Sequence, residues 1–249
     1  MGLFDKKYCD ICGEKIGLLG NRKLADGNLC KDCAAKLSPW FRDRKNETVE
    51  EIRKQLAWRE ENKEKVRNFH PDRVIGEGKK VMIDTAAGTF TVTSATNLEQ
   101  ANPDILNLSD VTGTNLSVEE SKREMFRKDG DKQVSFNPPR YEYSYDFRMT
   151  IYVSCPYFSE MEFSLNLTDV TFQDNGRRFS GNVITSSPRY RHYEEMAEEI
   201  QRALMNQLED SASEPSAPAA AEDSSWTCPY CGHVNQGKFC EACGAERSS

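Results

Sequence analysis

Two short stretches decide the fold: Cys9-Asp10-Ile11-Cys12-Gly13 and, seventeen residues on, Cys30-Lys31-Asp32-Cys33. A Cys-x-x-Cys turn sets two thiolates at adjacent corners of a tetrahedron, and two such turns complete a closed four-cysteine metal site. The pattern recurs near the other end as Cys228/Cys231 and Cys240/Cys243, with eight residues between the pairs. Eight of the nine cysteines fall in these four pairs. Zinc suits such a set because it binds soft thiolates tightly and has no geometric preference of its own. A disulfide framework needs an oxidising compartment, and a redox pair needs only one Cys-x-x-Cys. Two zinc ions are therefore expected, held by Cys9, Cys12, Cys30 and Cys33 and by Cys228, Cys231, Cys240 and Cys243. Iron in a rubredoxin-like site uses the same ligands, and spacing alone does not separate the two. Four cysteines leave no open position, so the metal is structural, not catalytic. His233 is not needed as a ligand.

Each site carries a local charge of about −2, which backbone N–H groups and nearby cations should offset. Lys6, Lys7, Lys15 and Lys31 lie near the first site in sequence, and Lys238 near the second. Gly13, Gly232 and Gly244 follow their cysteines directly and permit the tight turn. Residues 1–44 read as the first module: a knuckle, a hairpin with turns at Gly20-Asn21 and Asp26-Gly27-Asn28, and a helix opening at Cys30. That is the order of a treble clef, with a plainer zinc ribbon as the alternative. A module this small draws its folding energy from the metal, about 10–16 kcal/mol in apparent terms for zinc-finger peptides.

Residues 45–69 contain a connecting amphipathic helix. Thr48 and Glu51 form a capping box, Val49, Ile52 and Leu56 share a face, and Trp58 lies off it. The rest of this helix is charged, so it reads as a linker with a narrow docking seam. Residues 70–208 hold the sizeable core. β-type patterning runs through Val81–Ile83, Thr89–Val92, Ile105–Leu108, Val111–Val118, Tyr141–Val153, Phe158–Leu167 and Leu167–Phe172. A closing helix follows, with Met196, Ile200, Leu204 and Leu208 every four residues. Antiparallel strands and one final helix predict a small barrel or bent sheet plugged by that helix. Residues 209–225 carry five acidic charges and no aromatic or β-branched residue, the composition of a disordered linker. Residues 226–249 form the second zinc module. The fold class is α+β.

Composition narrows the function. The chain has 249 residues, 37% hydrophobic and 29% charged, a net charge of −7 and a mean hydropathy of −0.72. No stretch approaches the ~20 apolar residues of a membrane span. Met1 to Lys7 holds no apolar run of signal-peptide length, and Lys6 stands where a myristoylation signal requires Ser or Thr. A cytoplasmic protein is expected. Residues 1–46 carry ten basic and six acidic side chains, whereas 47–208 carry 21 and 27. Nucleic-acid binding draws on a basic footprint, and only the first module is basic. Contact with anionic lipid through the middle domain meets the same objection of sign, so lipid contact is not expected, and Arg42-Asp43-Arg44-Lys45 reads as solvated surface.

Catalysis has little support. His70, His192 and His233 lie in different segments, and no phosphate loop, catalytic triad spacing or His-Glu-x-x-His is present. Gly76-Glu77-Gly78-Lys79-Lys80 reads as a turn, and lone Cys155 as a packing thiol.

The run from Cys9 through Gly27-Asn28-Leu29-Cys30 to Leu37-Ser38-Pro39-Trp40-Phe41 resembles an uncharacterised bacterial family common in Firmicutes. Its members start with a four-cysteine zinc ribbon of unknown function. The resemblance implies zinc binding and no known activity. The middle segment resembles a bacterial pleckstrin-homology-like domain in strand count and closing helix. The tail, with Trp226 two before Cys228 and Asn235 four after Cys231, is similar to bacterial zinc-ribbon tails and to the Ran-binding-protein type of finger. Some fingers of that type bind single-stranded RNA or ubiquitin. Here Gly232-His233 replaces the Thr-Phe of the ubiquitin binders, and no paired arginines face RNA. Trp226 and Asn235 then take structural roles.

The expectation is a non-catalytic, zinc-stabilised adapter for a protein or peptide partner. A redox- or zinc-responsive sensor is the alternative, and nucleic-acid binding through the basic N-terminal module is the third reading.

Overall fold

A computed structural model of the chain describes residues 6–42, 44–174, 184–212, 226–227, 234–235 and 242, with side chains of the closing helix described to 205. The chain forms two compact units, Met1–Glu209 and Asp210–Ser249.

The first unit opens with a small hairpin, β1 (Arg22–Lys23) and β2 (Asn28–Leu29), followed at once by α1 (Lys31–Ala35). The long helix α2 spans Val49–Arg67, and the capping box of Thr48 with Glu51 is present at its start. An antiparallel sheet follows in the order β3 (Arg73–Ile75), β4 (Lys80–Asp84), β5 (Thr89–Thr93), β6 (Leu106–Asn107). A one-turn helix, α3 (Leu98–Ala101), is inserted before β6. Asn97 caps it, and it ends on Asn102 at φ 46.

The second sheet is built on a long hairpin, β7 (Val111–Asp129) and β8 (Lys132–Val153), turned at Gly130 with φ 60. Two short strands, β9 (Glu160–Ser164) and β10 (Val170–Gln173), lie end to end on the other side of β8. They are one strand with a gap, and Asn166 bridges the gap. Its Oδ1 accepts from Phe147 N at 2.7 Å, and its Nδ2 donates to Tyr145 O at 3.3 Å. The last helix, α4 (Pro188–Ala212), lays Tyr190, Tyr193, Met196, Ala197, Ile200 and Leu204 on the core. Tyr190 meets Phe147 edge-on at 4.8 Å. Both sheets and α4 share one buried cluster.

Several expectations are corrected here. The sheets are open, and among the described residues no strand of one sheet pairs with a strand of the other, so there is no closed barrel. The stretches Val111–Val118 and Tyr141–Val153 are the inner ends of one hairpin. Its outer part, 119–140, escaped the reading because neither face is buried; cross-strand pairs hold it in place of burial. Lys122 Nζ sits 3.9 Å above Tyr141, and Arg123 pairs with Glu142 at 2.7 Å. Nor is α2 a linker with one seam. Ile52 packs on the N-terminal module, Val66 joins Phe69 and Ile105, and Trp58 stacks 5.3 Å from Tyr157. Gln55, Arg59 and Asn62 form a buried polar strip between these contacts.

In the second unit, Trp226–Thr227 pairs antiparallel with Val234–Asn235.

Candidate metal centre

The first Cys-x-x-Cys closes on itself: Gly13, at φ 76, donates to Cys9 O at 2.8 Å, and Cys9 N donates to Glu14 O at 2.9 Å. The positive φ there is the reason for a glycine. The β1–β2 hairpin then returns the chain to this knuckle. Asp10 ties the two together, its N–H donating to Asn28 O at 2.9 Å and its Oδ2 accepting from Asn28 N at 2.6 Å. Gly27 is required at the turn, since a Cβ there would stand 2.5 Å from Val49 and 2.7 Å from the Asp10 carboxylate. Cys30 leaves β2 as the N-cap of α1, and one turn later Cys33 arrives beside it.

The four Sγ atoms of Cys9, Cys12, Cys30 and Cys33 lie within 4.8 Å of one another. Cys12 and Cys30 are 3.8 Å apart. A tetrahedron with Zn–S bonds of about 2.3 Å has edges of about 3.8 Å, so the donor set fits zinc. All four are free thiols, three of them buried, with Cys12 exposed. Backbone groups supply the balancing dipoles. Cys30 N donates to Cys9 Sγ, and Cys33 N to Cys30 Sγ, each at 3.3 Å. Among the described residues no lysine hydrogen-bonds a sulfur, so the backbone, not the nearby lysines, does this work.

Burial would raise the Cys9 thiol, but the N–H groups of Cys12, Cys30 and Ile11 outweigh it and hold Cys9 at about 6. The Glu14 N–H lowers Cys12, yet lost hydration and the sulfurs of Cys9 and Cys30 leave it above its usual range. Burial and the other three sulfurs push Cys33 well up. Thiols this crowded share protons until a cation replaces them. When bound, zinc supplies that positive charge and crosslinks the knuckle, the hairpin and α1.

Within the first unit, the module is fastened to α2 and the segment before β6 by a network that sequence reasoning missed. Asp26 Oδ1 accepts from Val49 N at 2.8 Å at the start of α2, and Arg53 donates to Asp10 O at 2.8 Å. Farther along α2, Arg59 pairs with buried Asp104 and donates to Lys36 O and Asn102 O. Ser38 Oγ donates to the other Asp104 oxygen at 2.7 Å. Burial pushes the Asp104 carboxyl up, against the opposing pull of Arg59 and Ser38. Asn62 completes the strip, donating to Pro103 O and accepting from Ile105 N. Trp40, two residues after Ser38, is buried in the main core under Lys79, whose Nζ lies 4.4 Å from the ring. The signal was present in the sequence: Gln55, Arg59 and Asn62 recur at helical spacing and run on into apolar Val66, a stripe hidden among many charges.

Cys228, Cys231, Cys240 and Cys243, with Gly232, His233, Lys238 and Gly244, lie outside the described residues. The structure keeps the other histidines apart from the metal centre. His70 N donates to Asp84 at 2.8 Å, and His192 contacts Glu77 at 3.2 Å. Half-buried Cys155 packs against the main core, and burial raises its thiol.

Residues 7–55 match the family model described as a domain of unknown function, DUF4428. The matched stretch includes all four clustered cysteines and the first two turns of α2, so the chain is similar to that family where the metal centre is built. No curated protein and no solved structure matches. Among the described residues, no helix is long and apolar enough to cross a membrane.

Proposed function

We propose that this chain is a non-catalytic cytoplasmic adapter, stabilised by structural zinc at both ends, that binds a protein or peptide partner along β7. The observation that carries this reading is the free side of β7. The strand runs for 19 residues, and among the described residues its sheet partner is β8 alone. An open strand edge recruits an extended peptide through main-chain hydrogen bonds, with side chains setting the choice of peptide. The closed four-cysteine set supports a scaffold role for the metal, because it leaves no coordination position for a substrate. The 209–225 composition and the Cys228, Cys231, Cys240, Cys243 spacing support a second zinc ribbon on a tether, which would add a weak contact at raised effective concentration. The two sheets and closing helix support the pleckstrin-homology-like reading of the middle segment.

A photo-crosslinking residue placed at Ser121 in the full-length zinc-loaded protein tests the proposal. A discrete adduct from lysate at Ser121, absent when the same group is placed at Glu60, is expected. No adduct at Ser121, or equal adducts at both positions, overturns it. The exposure of Cys12 favours a second reading, a zinc-responsive sensor, since an oxidant can reach that sulfur. Retention of all zinc at peroxide concentrations that oxidise free thiols removes that reading.

A further inference from the structure

The N-terminal module carries a second surface that the metal centre and the β7 edge do not use. Gly17 to Gly20 form a tight turn, closed by Gly20 N donating to Gly17 O at 3.0 Å. Its two central residues are Leu18 and Leu19, which are 91% and 90% exposed. Ile16, just before the turn, is buried and anchors its base. One exposed leucine is ordinary. Two neighbours presented at the apex of a turn, with no packing partner, form an apolar prong.

The prong leads directly into a basic groove. Asn21, Arg22 and Lys23 line one side, and Arg42, Arg44 and Lys45 the other. The fold brings these two clusters together across about twenty residues of sequence. Only Arg42 is engaged, with Glu160 and Glu162 each 3.8 Å away. Among the described residues, Arg22, Lys23, Arg44 and Lys45 make no ion pair.

We infer that this face docks the protein onto an anionic lipid surface: Leu18 and Leu19 enter the acyl boundary while Arg22, Lys23, Arg44 and Lys45 meet the headgroup phosphates. A bilayer interface rewards both halves of the feature at once. A nucleic-acid backbone would use the cations but has no place for the leucines. The net charge of −7 does not oppose this. Only the charges within about one Debye length of the lipid count toward docking; there Glu160 and Glu162 offset Arg42, and Arg22, Lys23, Arg44 and Lys45 carry the local positive charge. The expectation of no lipid contact rests on the acidic middle segment, and this face lies outside that segment.

The test is co-sedimentation of the full-length zinc-loaded protein with vesicles of phosphatidylcholine alone or with added phosphatidylserine. Binding to the phosphatidylserine vesicles only, weakening with salt, is expected. Arg44→Glu/Lys45→Glu should lower the partition coefficient by about twentyfold or more, at roughly fivefold per basic charge lost. Leu18→Ser/Leu19→Ser should lower it roughly tenfold. All four of these residues are surface-exposed or line the open groove, and an unchanged zinc content certifies folding of each variant. Quenching of a Leu19→Trp variant by brominated lipid, above the background of the native tryptophans, reports insertion directly. Absence of binding at low salt overturns the inference. So does binding that Leu18→Ser/Leu19→Ser leaves intact, or capture of labelled single-stranded RNA with no affinity for vesicles. None of these outcomes bears on crosslinking at Ser121, so the two proposals stand or fall separately.

Discussion

Replacing Asp104 by alanine should be among the most damaging single changes in the molecule. Asp104 is 1% exposed and Arg59 is 7% exposed, so both charges of the pair are withdrawn from water. Removing the carboxylate leaves the guanidinium buried without its counter-charge and takes the acceptor from Ser38. Breaking one side of a buried pair costs about 3–5 kcal/mol. That is a large part of the roughly 5–15 kcal/mol that holds a typical domain together. The pair itself need not be a net gain. Arg59→Met/Asp104→Leu removes both charges and keeps the volume; the carbonyls of Lys36 and Asn102 then lose a donor and Ser38 loses its acceptor. Each hydrogen bond lost that way costs about 1 kcal/mol. The double variant should therefore be more stable than Asp104→Ala by up to about 2 kcal/mol. Urea unfolding of the zinc-loaded protein, followed by tryptophan emission, measures both. Trp40 and Trp58 report on this region, since both pack on the main core. A loss under about 1 kcal/mol for Asp104→Ala, or a double variant as damaged as the sum of the singles, would refute the reasoning.

Elemental analysis should find two zinc ions per chain, and Cys33→Ser should remove one of them and lower the urea midpoint. Unchanged metal content would show that the cluster is not the site. Trp40→Ala should cost about 3–5 kcal/mol, because it empties a large pocket in the main core; a change below about 1 kcal/mol in the same unfolding assay would show that the module is not seated there. The amides of His70 and then Ala87 hold the Asp84 carboxyl below the usual carboxylate range. A lowered folded value means stability that is present above about pH 4 and lost as pH falls through the folded pKa. The deficit of Asp84→Asn should therefore be largest near neutral pH and shrink toward about pH 3, and a deficit independent of pH would contradict the assignment. Gly76 has φ 120, and a Cβ there would stand 2.6 Å from Lys79 O. Gly76→Ala should lower the thermal midpoint by several degrees, since ~1–3 kcal/mol of strain enters; no change would mean the turn relaxes freely.

The metal centre was legible because its chemistry is local. Four cysteines at fixed spacing, a glycine after the knuckle and the Thr48–Glu51 box each express their structure within a few residues. The strands facing the core were legible for the same reason: Phe147, Met149 and Ile151 alternate with outward residues, and all three are fully buried or nearly so. What escaped depends on distant partners. Arg59 looks like any other charge on α2 until Asp104 arrives from 45 residues away. Trp40 belongs by sequence to the small module and by packing to the large core. The outer hairpin has no buried face to set a period of two. The basic groove joins two short runs, one of which reads as plain surface when taken alone.

The uncovered rim of β7 has a consequence for the protein's own company. A row of spare amide and carbonyl groups invites identical chains to zip together into polymers. The outer half of this strand reads Glu119-Glu120-Ser121-Lys122-Arg123-Glu124-Met125-Phe126-Arg127-Lys128. Parallel and in register, two copies set like charges opposite one another along this run, whereas antiparallel alignment sets Glu119 against Lys128 and Glu120 against Arg127. The charges of this edge therefore select the direction in which a second strand, the chain's own included, can lie against it.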